Sequence, residues 1–288
     1  MSGRVNGFRA LIGGLSSAPR HWRMLILWLL AALIPAIAAG VPLRAMIANT
    51  FGHSPQAADI DAGNNMPLLA DGLMSMLGHG GGESLGVHVA VTAVFALLLS
   101  PLLSGMLVAS LREGRPLGFG ESIHGGLREY WRQLRVWLVL AIPLGALLGL
   151  ASVVFGMIGK SADAAILTSQ AKHLQYAGTA VMVVAFAIAQ CALDATRAQF
   201  AADGQLRTAW RAAWRGIGLM LRRPFSVGLV YVVTMALAAL VSPLLVLELI
   251  KGNAGLAILL LQLGTLVLGG LRAARLIGLA RLSASGSR

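Results

Sequence analysis

The sequence predicts an all-α, polytopic membrane helix bundle: six transmembrane helices forming one integral domain over residues 1–288, with three amphipathic helices on one membrane face. Three observations predict it. The 288 residues are 57% hydrophobic and only 12% charged, against roughly 25% charged in a soluble globular chain. Six apolar runs are long enough to span a bilayer. The basic residues fall almost entirely on one side of those runs. This composition, with a mean hydropathy of +0.77, excludes a soluble enzyme, a disordered chain and a nucleic-acid-binding domain despite a formal charge of +12. A disulfide framework is excluded too, because Cys191 is the only cysteine.

A hydrocarbon core about 30 Å thick needs roughly 20 apolar residues of helix. The expected spans are residues 24–43, 85–111, 136–159, 174–200, 224–247 and 253–281. They are rich in Leu, Ala and Val and lack the alternation of a lipid-facing strand, so helices fit and a β-barrel does not. The first span has a basic flank, and Ala36, Ile37 and Ala38 resemble a signal-peptidase site. Its apolar run exceeds a signal core and 23 residues precede it, so it is expected to remain as an uncleaved helix.

Lys and Arg collect on the cytoplasmic side of membrane proteins. Six spans put both termini on one side. With that side inside, nineteen of the 23 basic residues are cytoplasmic, and only Arg44, Lys160, Lys172 and Lys251 lie outside. The expected orientation therefore places both the N and C termini in the cytoplasm. The +12 charge serves topology and anionic headgroups, and no nucleic-acid partner is needed to explain it.

Each odd-numbered span follows a short basic amphipathic segment. The apolar faces are Val5, Phe8, Leu11, Ile12 and Leu15; then Ile123, Leu127, Tyr130, Trp131 and Leu134; then Leu206, Trp210, Trp214, Ile217 and Leu221. In the third, Arg207, Arg211 and Arg215 recur every four residues beside Trp210 and Trp214, the pattern of a helix lying in the headgroup plane. Arg222 and Arg223 precede Pro224, a residue suited to the start of the next helix. The odd spans share interior prolines (Pro35, Pro143, Pro243). Residues 192–197 and 270–275 end the even spans alike, with Gly105 to Arg112 a weaker third copy. These features predict a threefold repeat of surface helix, span out, outer loop and span back.

The longest connection, an outer loop over residues 44–84, carries Asp59, Asp61, Asp71 and Glu83. Asn65 is placed to cap a short helix bearing Met66, Leu69, Leu73, Met76 and Leu77. Gly145 and Gly149 form a GxxxG pair, read here as a helix-packing contact.

Motifs that carry chemistry are sparse. Gly82-Glu83-Ser84-Leu85-Gly86 matches a nucleophile elbow, but an elbow requires a strand before the serine and a glycine-rich segment stands there instead. Spans five and six contain no histidine to serve such a serine. His53, His79 and His88 lack the spacing of a metal site. No phosphate or dinucleotide fingerprint is present, so no cofactor or metal is expected. Asp194 is the exception. It lies late in the fourth span, one turn after Gln190 and three residues before Arg197. An intramembrane carboxylate is costly and is a functional candidate by default. Its two readings are an ion pair with Arg197 or with Arg272 of the sixth span, or a proton or substrate path.

The stretch Asp194-Ala195-Thr196-Arg197-Ala198-Gln199-Phe200, the following Trp210/Arg211 helix and Arg222-Arg223-Pro224 resemble a broad group of bacterial six-span inner-membrane proteins. That group includes the membrane domain fused to some glycerophosphodiester phosphodiesterases. The resemblance implies an envelope- or lipid-related role; the phosphodiesterase activity does not carry over, because its catalytic domain is not part of this chain. The expected function is thus a non-catalytic inner-membrane scaffold or partner subunit, with membrane lipids and a membrane protein as the candidate partners. The alternative is a transporter or permease subunit with Asp194 in the path, supported by the repeat and the kinked spans and opposed by the scarcity of intramembrane polar groups.

Overall fold

The computed structural model describes residues 6–51, 82–165, 167–206, 208–250 and 254–285. Eight α-helices appear among them: α1 (Gly7–Ser17), α2 (Trp22–Phe51), α3 (Gly82–Glu113), α4 (Phe119–Asp163), α5 (Thr168–Ala202), α6 (Ala209–Arg222), α7 (Pro224–Ile250) and α8 (Ala254–Ala284). A one-turn 3₁₀ helix, Ala18–His21, joins α1 to α2. Six helical stretches among the described residues are long and apolar enough to cross a membrane. Five of the six expected spans fall within α2, α3, α4, α5 and α7, and the sixth falls within α8 from Ala254 onward, its first residue lying outside the described residues.

Sequence explains where the surface segments break from their spans. Pro19 sits in the 3₁₀ turn between α1 and α2. Pro224 opens α7 immediately after α6 ends. A proline, lacking the N–H, suits the first turn of a new helix where the chain bends from surface segment into span, whereas Pro101 and Pro143 sit inside apolar helices that continue past them. No proline stands between Leu134 and Trp137, and that junction continues as one helix. The second surface segment and the third span therefore form the single 45-residue α4, about 68 Å long at 1.5 Å per residue. Its start is fixed by Glu121, whose Oε2 accepts the Gly118 N–H at 2.9 Å while Arg115 grips the same carboxylate with two 3.0 Å hydrogen bonds. Gly114, at φ 67°, ends the preceding helix in the left-handed region.

Helices α5 and α8 lie at the centre. α5 packs on α3, α4, α6 and α8, and α8 packs on α1, α2, α5 and α7. The surface segments attach in a regular order. The start of α4 lies on α3, where a β-carbon at Gly105 would fall 2.9 Å from the Gly126 carbonyl oxygen. α6 lies on α5, with Gly216 equally close to the Thr196 backbone N. α1 lies on α8, with Gly14 against the Ala274 carbonyl and Gly278. Each rests on the even-numbered span that precedes it in the chain, and the first closes on the last.

Their buried faces are correspondingly small: Gly7, Ala10, Leu11 and Gly14 on α1, and Ala209, Ala212, Ala213 and Gly216 on α6. The larger apolar residues face away. Trp210 and Trp214 are 60% and 61% exposed, and Phe8, Ile12, Ile123, Leu127 and Trp131 are also exposed. Leu11 and Leu206, grouped with these stripes by periodicity, are instead buried. Helical rotation explains Leu11, which shares the small-residue face that meets the bundle.

Two expectations need correction. The outer connection is shorter than residues 44–84, since α2 runs to Phe51 and α3 starts at Gly82. No glycine or proline interrupts residues 44–51, so the helix simply continues. The helix expected at 65–77 lies outside the described residues, as do His53 and His79. Gly145 and Gly149 are exposed, with no described residue packed on them. Among the described residues, α3 and α5 pack on α4 elsewhere and leave its GxxxG pair uncovered.

Candidate functional site

The site is the junction of the central helices. α5 carries Gln190, Cys191, Asp194 and Arg197 on successive turns, and α8 carries Arg272 and Arg275 one turn apart. Residues three or four apart share a helical face, so both helices present their charges at their line of contact.

Asp194 is fully buried. Its Oδ2 lies 2.8 Å from Arg275 Nε and its Oδ1 3.8 Å from Arg197 Nη1. The Arg275 N–H is not directed at the oxygen, so this contact is a charge pair without a hydrogen bond, and both carboxylate oxygens lack a hydrogen-bond donor. Arg197, 1% exposed, donates from Nη2 to Ser100 Oγ at 3.3 Å, and its Nε finds no acceptor. Arg275 also lies 4.6 Å over the Tyr231 ring and contacts the Met235 sulfur at 3.1 Å. Arg272 stacks over Trp28 at 5.1 Å. It makes no hydrogen bond or ion pair among the described residues.

Of the two α8 arginines, then, Arg275 reaches the carboxylate and Arg272 does not. Sequence spacing places both on one face; which of them meets Asp194 depends on the axial offset of α8 against α5, which one sequence does not encode. Ser100, Trp28, Trp137 and Tyr231 were also missed. They come from other helices, and an apolar run gives no sign of which aromatic will stack on a charge.

Beside this cluster is a cavity of about 370 Å³. Ala93, Ala96 and Leu97 of α3 form an apolar side that is itself exposed. The opposite side holds Arg197, Arg272, Gln190 and Trp137, with Ser100 at the boundary. The Trp137 indole N–H is buried without an acceptor. Asp194 and Gln262 do not line the cavity.

The membrane-surface candidates are arranged differently. Trp210 and Trp214 stack edge to face at 5.7 Å on the outside of α6, with Arg211 exposed beside them. Arg215 turns to Asp203 at 2.7 Å, a solvent-exposed pair. Arg215 and the Gln205 N–H hold the Asp203 carboxyl below its usual pKa. Arg207 lies outside the described residues. Ser84 falls in the first turn of α3, and no strand precedes it among the described residues. No cluster of three or more His, Cys, Asp or Glu suited to a metal occurs among them either.

Comparison of the chain with protein-family models, curated proteins and solved structures returns no match.

Proposed function

We propose that this chain is a multi-pass protein of the bacterial inner membrane, with both termini cytoplasmic, acting as an envelope- or lipid-associated scaffold or partner subunit without catalysis of its own. One observation carries the reading. The three surface segments turn small residues toward the bundle and aromatic or branched residues outward. A soluble protein would bury those stripes, whereas the headgroup layer accommodates aromatics flanked by arginine. On this reading Trp210, Trp214, Arg211 and Arg215, with Arg207, contact anionic lipid or a membrane partner. The threefold repeat belongs to the same proposal. Thr196 and Ala274 are aligned by the likeness of residues 192–197 and 270–275, and each receives the glycine of a surface helix.

The test is purification in nanodiscs followed by mass spectrometry of co-purifying lipids and proteins. A defined set retained by the wild type and lost from Trp210→Ser/Trp214→Ser is expected. An unchanged set would sink the role of these stripes. Reporter fusions placing residues 52–81 in the cytoplasm would overturn the orientation.

A second reading, a transporter or permease subunit, draws support from the cavity beside Gln190. Asp194→Asn separates the two. Normal accumulation with lost activity would favour a path, and poor accumulation would favour a brace.

A further inference from the structure

The cavity between α3, α4, α5 and α8 has a lopsided chemistry. The buried cluster behind it sets one carboxylate, Asp194, against three guanidinium groups, Arg197, Arg272 and Arg275. Cys191 and Tyr231 are the other titratable side chains coupled to it. Asp194 is engaged by Arg275 and Arg197, which leaves the Arg272 charge without an anionic contact. Two uncompensated positive charges in an apolar bundle are costly. The hydrogen-bond inventory is lopsided in the same way: Arg197 Nε and Trp137 Nε1 are donors without acceptors, and Arg272, which lines the cavity, stacks over Trp28 and has no hydrogen bond or ion pair among the described residues. Ser100 and Gln190 supply the only side-chain acceptors in the lining. The volume, about 370 Å³, lies within the range of small-ligand pockets, roughly 300–1,000 Å³.

The geometry points to a binding site for a phosphate-bearing anion, held by Arg272, Arg197 and Trp137, with the apolar Ala93–Leu97 side receiving the hydrocarbon of an amphiphile. A phosphate supplies acceptors for the Arg272 guanidinium, and for Arg197 Nε and Trp137 Nε1 once their side chains turn toward the cavity, since both atoms are shielded from it here; arginine engages a phosphate in a planar, two-point fashion. Its negative charge offsets the excess of guanidinium. The exposed apolar side suits an acyl chain better than a wholly hydrated solute. This site is separate from the surface stripes and rests only on the bundle spanning a membrane.

The test uses the full chain in phosphatidylcholine nanodiscs, titrated with lysophosphatidic acid, with lysophosphatidylcholine of the same acyl chain, and with inorganic phosphate, and read by native mass spectrometry. Saturable binding of one lysophosphatidic acid is expected, at least tenfold tighter than lysophosphatidylcholine. R272Q should weaken it tenfold or more, and R272K by less, since it keeps charge but loses the planar fork. R128Q, an equal change of charge on the exposed start of α4, should match the wild type. Should R272Q fail to give a monodisperse protein, W137F removes one donor at nearly constant shape and should weaken binding several-fold. Competition by millimolar inorganic phosphate would support the phosphate site and assign a soluble source; its absence alongside tight lysophosphatidic acid binding assigns a lipid source. Equal affinities for the two lysolipids, or binding unchanged in R272Q and W137F, would overturn the site. Loss of the Trp210/Trp214-dependent partners with this binding intact would separate the two proposals.

Discussion

Among the described residues the bundle buries two acidic residues beside arginines, and the two clusters are built to different ends. Glu129 on α4 is 1% exposed. It accepts a hydrogen bond from Arg112 of α3 and from Arg132 one turn on, at 3.2 Å. Arg112 also donates from Nε to the Phe200 carbonyl at 2.8 Å. That cluster ties α3, α4 and α5 together, and its arginine side chains remain 15% and 30% exposed, so spare charge reaches solvent. Around Asp194, Arg197 and Arg275 are buried and Arg272 is half-buried, the carboxylate oxygens receive no directed N–H, and a cavity adjoins the surplus. The Glu129 carboxylate is closed by directed hydrogen bonds from both arginines, although Arg112 Nη2 finds no acceptor. The Asp194 carboxylate is left open: no N–H is directed at it, and Arg197 Nε and Arg275 Nε beside it are donors without acceptors.

The contrast can be broken first at Asp194. Asp194→Asn removes the only carboxylate facing three arginines and should cost about 3–5 kcal/mol, the usual penalty for orphaning a buried charge; the measurement is folded yield and thermal unfolding in detergent. Arg275→Gln should destabilise nearly as much, while Arg272→Gln should leave the melting temperature unchanged or raised. Equal losses from both would mean that Arg272 also braces the carboxylate. Glu129→Gln should cost less than Asp194→Asn, about 1–3 kcal/mol, because Arg112 and Arg132 retain water and the Phe200 carbonyl. A larger loss there would erase the distinction between a closed and an open cluster. Gly216→Val should cost about 1–3 kcal/mol by forcing α6 off Thr196, measurable as earlier proteolysis of the 203–223 segment.

The smallest effect is expected from Asp203→Asn. The wild-type carboxyl is held below its usual pKa by Arg215, so its stabilisation is full above the unfolded-state value and fades as pH falls through the folded one. Being exposed, the pair contributes only about 0.2–1 kcal/mol. The variant's melting temperature should converge on the wild type's at acidic pH; a constant difference across pH would mean that charge is not the cause.

Much of this architecture is legible in the sequence, for identifiable reasons. The spans are set by length and hydropathy, which bilayer thickness makes nearly one-dimensional. The breaks at Pro19 and Pro224, and the continuous helix through Leu134 and Trp137, follow from where a backbone donor is missing. The charges of the site were legible because Asp194, Arg197 and Arg272 stand out in apolar surroundings. Arg275's hold on Asp194, Trp28's position beneath Arg272, and the idle face at Gly145 and Gly149 were not legible. They depend on the rotation and offset of one helix against another, quantities to which each helix contributes only half.

The seat of α1 on α8 has a consequence for biogenesis. The landing site of α1, at Ala274 and Gly278, is synthesised only after α2 through α7. Asp194 likewise enters with α5, two spans before Arg275 arrives on α8. A small-residue face and an acid therefore each wait for a counterpart on the same late helix. The bundle can be inserted span by span, but it is locked when α8 supplies the contacts that both have been missing.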